Sequence, residues 1–141
     1  MIDVLTSADI STVAAMELKY IDCPYSEKVL SEFLDEENTI AYKYCKGDVL
    51  VGYISGQTVL DECNVNNVVV DENYRRQGIA SELLTAFINE CRNRKVNFVF
   101  LEVATTNEAA KSLYQKFGFE PLFIRKNYYK DKDAAVMRKT I

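Results

Sequence analysis

Histidine is absent from the 141 residues, and the four cysteines, Cys23, Cys45, Cys63 and Cys91, form no CxxC pair. Zinc sites built from His and Cys are thereby excluded, as are hydrolytic triads with an imidazole base, and no metal is expected. No apolar run reaches the ~18 residues that a membrane-spanning helix needs. The opening stretch "MIDVLTSADIST" has neither the basic start nor the long apolar centre of a signal peptide. A cytoplasmic protein with free thiols and no membrane contact is the expectation. Net charge is −4, so the basic surplus that drives general nucleic-acid binding is lacking too. No GK[ST] follows a glycine-rich loop, and no GxGxxG precedes an acidic residue ~20 positions on. Repeats, low-complexity tracts and Pro/Gly/Ser linkers are missing, and the length suits one domain over residues 1–141.

What is present alternates between two periods. "SADISTVAAMELKYI" brings Ile10, Val13, Ala14 and Ile21 together at helical spacing, behind caps at Ser7 and Asp9. "CPYSEKVLSEFLDEEN" predicts a short helix capped by Ser26, with Val29, Leu30, Phe33 and Leu34 facing the core. "TIAYKYC", a "KGD" turn and "VLVGYISGQTV" read as a hairpin, and "ECNVNNVVV" as another strand. A long helix from about Ile79 to Asn93 follows, with an apolar stripe of Ile79, Leu83, Leu84, Phe87, Ile88 and Cys91. "VNFVFLEV" is apolar on both faces, as a central strand of a covered sheet is. "TNEAAKSLYQKFGF" predicts a helix capped by Thr106 or Asn107 and stopped at Gly118, before a closing hairpin. The fold expected is mixed α/β: a mostly antiparallel sheet of six or seven strands with helices on both faces.

Two places in this pattern carry chemistry. "YRRQGIAS", residues 74–81, lies where a strand hands over to the long helix. A helix N-terminus leaves N–H groups unpaired and carries roughly half a positive charge, so it cradles anions. Gly78 allows close backbone approach, Ala80 keeps the first turn slim, and Arg75 or Arg76 can add charge-assisted bonds. A pyrophosphate suits that seam. The second place is "LEVATTNEAAKSLYQKFGFE", where Glu102 interrupts an apolar strand and Asn107 and Tyr114 lie two helical turns apart. A carboxylate inside a central strand is costly unless it faces a cleft or has partners.

The pattern [RQ]-x-x-G-x-[GA] at 75–80 resembles the acyl-CoA pyrophosphate loop of the GNAT acetyltransferase superfamily. From about "VLDE" at residue 59 to the C-terminus, the chain resembles that superfamily's RimI group, bacterial N-terminal alanine acetyltransferases of a small-subunit ribosomal protein. "RKNYY" at 125–129 and "CPYSEK" at 23–28 extend the likeness. The resemblance implies a GNAT fold and acetyl-CoA as co-substrate. It assigns Val68, Val69 and Val70 to the strand that holds the pantetheine arm and thioester. It gives the pyrophosphate to Arg75, Arg76, Gln77, Gly78, Ile79, Ala80 and Ser81, and the pantetheine region to Asn107. Glu102 falls at the general base and Tyr114 at the general acid. Tyr25, Tyr128 and Tyr129 would rim a groove for a protein N-terminus. Ala80 stands where glycine is commoner, and Tyr25 where tryptophan is expected.

The implied chemistry is self-consistent. An amine attacks a thioester only when neutral, and an α-amine with an intrinsic pKa of ~7.7–8 needs little help from a carboxylate base. A phenol can protonate the departing thiolate, and a strand N–H can stabilise the oxyanion. Cys91 lies on the apolar stripe and reads as packing. A GNAT enzyme acting on a lysine or a small amine shares the same cofactor half, and a lysine amine at ~10.4 asks for a stronger base. A non-catalytic acetyl-CoA-binding module would need neither Glu102 nor Tyr114. Nothing in the sequence calls for more than a monomer.

Overall fold

Hairpins build the first half of the sheet in the computed structural model, which describes residues 1–129 and 132–141, the side chains of Tyr128 and Tyr129 excepted. Strand β2 (Thr39–Lys46) turns at Gly47–Asp48 into β3 (Val49–Val59), which turns again into β4 (Glu62–Val70). A three-residue strand β1 (Ile2–Val4) adds to the outer edge of β2, pairing Ile2 with Tyr44 and Val4 with Tyr42. That strand has no counterpart in the expected pattern, because its pairing is set by residues 40 positions away.

Helix α3 (Ile79–Asn93) then carries the chain to β5 (Phe98–Ala104), α4 (Glu108–Lys116) and a last hairpin, β6 (Glu120–Tyr129) and β7 (Lys132–Thr140). The seven strands lie in the order β1-β2-β3-β4-β5-β7-β6. Every neighbouring pair is antiparallel except β4 and β5, as a helical crossover requires. No described helix is long and apolar enough to cross a membrane.

Two helical layers cover the sheet. The α3 stripe is buried as its period predicts, with Leu83, Leu84 and Phe87 fully shielded among Val51, Ile54, Val99, Leu101 and Met137. Burial of each such side chain contributes about 1.5–3 kcal/mol. The fit is tight at Gly56, where a Cβ would lie 2.3 Å from the Asn64 carbonyl oxygen and 2.6 Å from Phe87 Cζ. Only glycine lets α3 approach β3 that closely. Helices α1 (Ile10–Tyr20) and α2 (Glu27–Leu34) pack on the other face, where Val13, Ala14, Met16 and Leu30 meet Ala41, Tyr53 and Val69. Ser26 caps α2 by accepting from the Val29 N–H at 3.2 Å. Val29 itself is exposed rather than core-facing, because α2 turns a narrower stripe inward than its four apolar residues suggest.

Two irregularities open the middle of the sheet. The parallel ladder holds only Glu62–Asn64 against Phe98–Phe100. Opposite β3, Ser55 pairs with Asn67 but Gly56 with Val65, so Asn66 is an extra residue in β4. Such a bulge bends its strand. From Val65 onward the β5-facing edge of β4 has no strand partner, and the strands part as a wedge.

Candidate active site

The wedge ends at the β4–α3 connection. Asp71 opens that connection, its N–H bonded to the Val51 carbonyl at 2.8 Å and its carboxylate accepting from the Asn73 N–H at 2.9 Å. A short 3₁₀ turn, Glu72–Tyr74, follows. The backbone then passes through left-handed conformations at Arg76 (φ 63°) and Gly78 (φ 76°). The first α3 hydrogen bond runs from Glu82 to Gly78, which leaves the N–H groups of Ile79, Ala80 and Ser81 without helical partners. No side chain caps this end, and apart from its chain neighbours no residue comes within 4 Å of where a Gly78 Cβ would sit. Unpaired donors, the positive end of a 15-residue helix and open space together make an anion cradle.

The two arginines beside it differ. Arg75 folds back, donating from Nε to the Val70 carbonyl at 3.2 Å while its guanidinium lies 5.3 Å from the centre of the Tyr20 ring. Tyr20 also accepts the Glu72 N–H at 3.0 Å, so the last turn of α1 braces the loop. Arg76 and Gln77 are exposed at the cradle. Of the expected strand residues, Val68 and Val70 turn toward the α3 core and Val69 toward α1.

Glu102 stands on β5 across from Val136 of β7. Alternation buries Leu101 and Val103 on the α3 side and sends Glu102 to the opposite face. Its side chain retains 24% exposure, and Oε1 pairs with Arg125 Nε of β6 at 3.3 Å. The other oxygen, Oε2, is buried and accepts no hydrogen bond. An orphaned buried acceptor costs about 1–3 kcal/mol, more for a charged group, so it needs an explanation. Nothing in the sequence pairs Arg125 with Glu102, although Arg125 opens the "RKNYY" segment.

Tyr114 packs in the α3-side core, its ring edge-on to Phe119 at 5.9 Å and 65°. Burial pushes its phenol up to about 12, so it stays a proton donor at neutral pH. Glu102 and Tyr114 form no hydrogen bond with each other. Asn107 is the N-cap of α4, its Oδ1 accepting from the Ala110 N–H at 3.2 Å, which settles the choice between Thr106 and Asn107.

On the α1 side, Pro24, Tyr25, Ser26 and Glu27 border an open depression of about 290 Å³ with Ala14 and Leu18. Tyr25 is 37% exposed. The side chains of Tyr128 and Tyr129 lie outside the described residues, and with them that part of the expected rim. A residue with no expected role stands beneath Tyr25. Glu17 of α1 is fully buried, and its carboxylate accepts from the Tyr53 hydroxyl, the Asn67 side chain and the Tyr25 N–H. Burial and that carboxylate both raise the Tyr53 pKa. One signal was available: Glu17 sits three and four residues after Ala14 and Val13, on the inward stripe.

The sheet is mixed and parts at its parallel pair, and the uncapped N-terminus of α3 stands at the mouth of that gap. The profile of the acetyltransferase (GNAT) family matches residues 10–119, and the chain belongs to that family. It is 33% identical to the [ribosomal protein bS18]-alanine N-acetyltransferase of Haemophilus ducreyi over 137 residues, spanning 96% of this chain and 92% of that protein. The Escherichia coli enzyme of the same name is 33% identical over 130 residues, covering 92% of this chain and 87% of its own. The crystal structure of the E. coli ribosomal-protein-S18-alanine N-acetyltransferase superposes with a TM-score of 0.91 at 32% identity, covering 100% of this chain and 93% of that one.

Proposed function

We propose that this protein transfers the acetyl group of acetyl-CoA to the N-terminal α-amine of a protein, an alanine of a small-subunit ribosomal protein in the cytoplasm, with Glu102 as general base and Tyr114 as general acid. The observation that carries the reading is the buried, unpartnered Oε2 of Glu102 on the strand that borders the wedge. The names and the near-complete coverage of the two bacterial relatives support the choice of acceptor.

The residues fit acetyl-CoA. The free N–H groups of Ile79, Ala80 and Ser81, with Gly78 open beside them and Arg76 and Gln77 at the rim, suit a pyrophosphate. The unpartnered edge of β4 at Val68–Val70 offers backbone groups to a pantetheine amide and an N–H to the developing oxyanion. Asn107 keeps its side-chain amide for the same arm. Acetyl-CoA supplies the activated acyl group. Glu102 takes the proton of the attacking amine, directly or through one water, as the new N–C bond forms. Tyr114 gives its proton to the sulfur as the C–S bond breaks. Arg125 holds Oε1 and thereby aims Oε2. Tyr25 would offer a flat apolar wall to the first residues of the acceptor.

The test uses acetyl-CoA with two peptides, one beginning with alanine and one blocked at its α-amine but carrying an internal lysine. Acetylation of the alanine peptide is expected. Preferential acetylation of the blocked peptide would overturn the α-amine reading and favour a lysine acetyltransferase.

A further inference from the structure

Glu17 has 0% exposure, the deepest burial of any charged side chain among the described residues. None of its partners is a cation. Oε2 accepts from the Tyr53 hydroxyl and from Asn67 Nδ2 at 2.9 Å, and Oε1 accepts from the Tyr25 N–H and from Asn67 Nδ2, each at 3.2 Å. A carboxylate taken out of water with no counter-ion persists only where donors surround it. An apolar side chain would fill the same space beside Val13 and Met16 without that requirement, so packing does not account for a carboxylate here.

Its donors come from three different segments. Tyr53 belongs to β3, Asn67 to β4, and Tyr25 to the connection between α1 and α2. Asn67 adjoins both the bulge at Asn66 and the strand residues Val68–Val70 that border the wedge. One carboxylate therefore fixes the loop that carries Tyr25 to the strand where the acyl group would lie. We propose that Glu17 is a positioning residue for acetyl transfer, locking the acceptor-side loop onto β4 so that the incoming amine is aligned with the thioester. This rests on the acetyltransferase reading of the site.

A plain structural staple predicts something else, and Tyr53 separates the two. Its hydroxyl ties Glu17 to β3, which full ladders with β2 and β4 already hold in place. Tyr53→Phe loses that bond without touching the loop. The experiment compares parent, Glu17→Gln and Tyr53→Phe in steady-state kinetics on the alanine peptide, with calorimetric acetyl-CoA binding and melting temperatures alongside. Glu17→Gln is expected to raise the peptide KM and lower kcat/KM by about tenfold or more, since small misplacements of a reacting group are costly. Its acetyl-CoA affinity should stay within about twofold of the parent, as should kcat/KM of Tyr53→Phe, even where Tm falls. If Glu17→Gln does not fold, Asn67→Ala, which keeps the carboxylate but cuts its tie to β4, carries the same expectation. Unchanged kcat/KM in the folded variant, or an equal loss in Tyr53→Phe, would overturn the role of Glu17. A parent inactive on the alanine peptide would instead overturn the proposed function beneath it.

Discussion

Around residues 70–81 the protein is organised by main-chain groups; around Glu102 and Glu17 it is organised by side chains. The first region is made of free N–H donors and two left-handed residues, Arg76 and Gly78, and its one folded-back side chain, Arg75, serves as a brace. The second depends on Glu102 with Arg125, Tyr114 against Phe119, and Glu17 beneath Tyr25. A backbone cradle tolerates many side chains but few conformations. A side-chain constellation tolerates backbone drift but few substitutions. The two halves should therefore fail differently when altered.

The largest effect is expected at Glu102. Glu102→Gln should lower kcat at neutral pH by about 10²–10⁴-fold while leaving acetyl-CoA binding intact. The defect should shrink as pH rises past the acceptor's α-amine pKa of ~7.7–8, because the amine then deprotonates unaided. A pH–rate profile of the variant checks this, and a defect constant with pH would make Glu102 structural.

Gly78→Val should act in the opposite way. The space there is open, so the variant meets strain and not a clash: a β-branched residue at φ 76° costs about 1–3 kcal/mol. Acetyl-CoA affinity should fall more than ~10-fold by calorimetry as the cradle relaxes, with melting lowered by a few degrees. Normal binding by this variant would break the comparison. Arg76→Ala sharpens it further. Loss of one charge-assisted bond should weaken acetyl-CoA by about tenfold, in a salt-dependent way, whereas Arg75→Ala should mainly lower Tm.

Tyr114→Phe is expected to have the smallest effect on turnover, a few-fold loss, because water can replace the acid. Its signature lies in stability at high pH. The folded-state pKa of Tyr114 is raised to about 12, so its contribution is complete below pH ~10 and is lost as pH climbs toward 12. Two pKa units correspond to about 2–3 kcal/mol over that window. Urea titrations at pH 9 and pH 11 should therefore differ less for the variant than for the parent.

The same division explains what could be read before the fold was known. Helix α3 has the expected bounds and buried stripe because a 3.6-residue period over 15 residues is a strong local signal. The Gly78 loop is legible because its glycine and its strand–helix context are contiguous. Glu17 is not, since its meaning depends on Tyr53 and Asn67, 36 and 50 positions away. Arg125 became a partner of Glu102 only when β7 inserted between β5 and β6. Strand β1 is not legible in the sequence because three residues carry no period, and Val29 is exposed because a short helix buries less than its apolar content implies.

The parallel ladder of Glu62–Asn64 with Phe98–Phe100 has a consequence for how the molecule breathes. β1–β4 and β5–β7 are each zipped by antiparallel ladders, so the joint between them is the shortest hydrogen-bonded seam in the interior of the sheet. Sub-global opening should follow that seam, with each half behaving as a cooperative unit held to the other by the core under α3. Under the proposed function, a ligand lodged in the wedge would touch both halves and act as a removable suture. Its contribution grows with the logarithm of its concentration over Kd, so a cell depleted of acetyl-CoA would hold this protein in a looser state, more open to proteases.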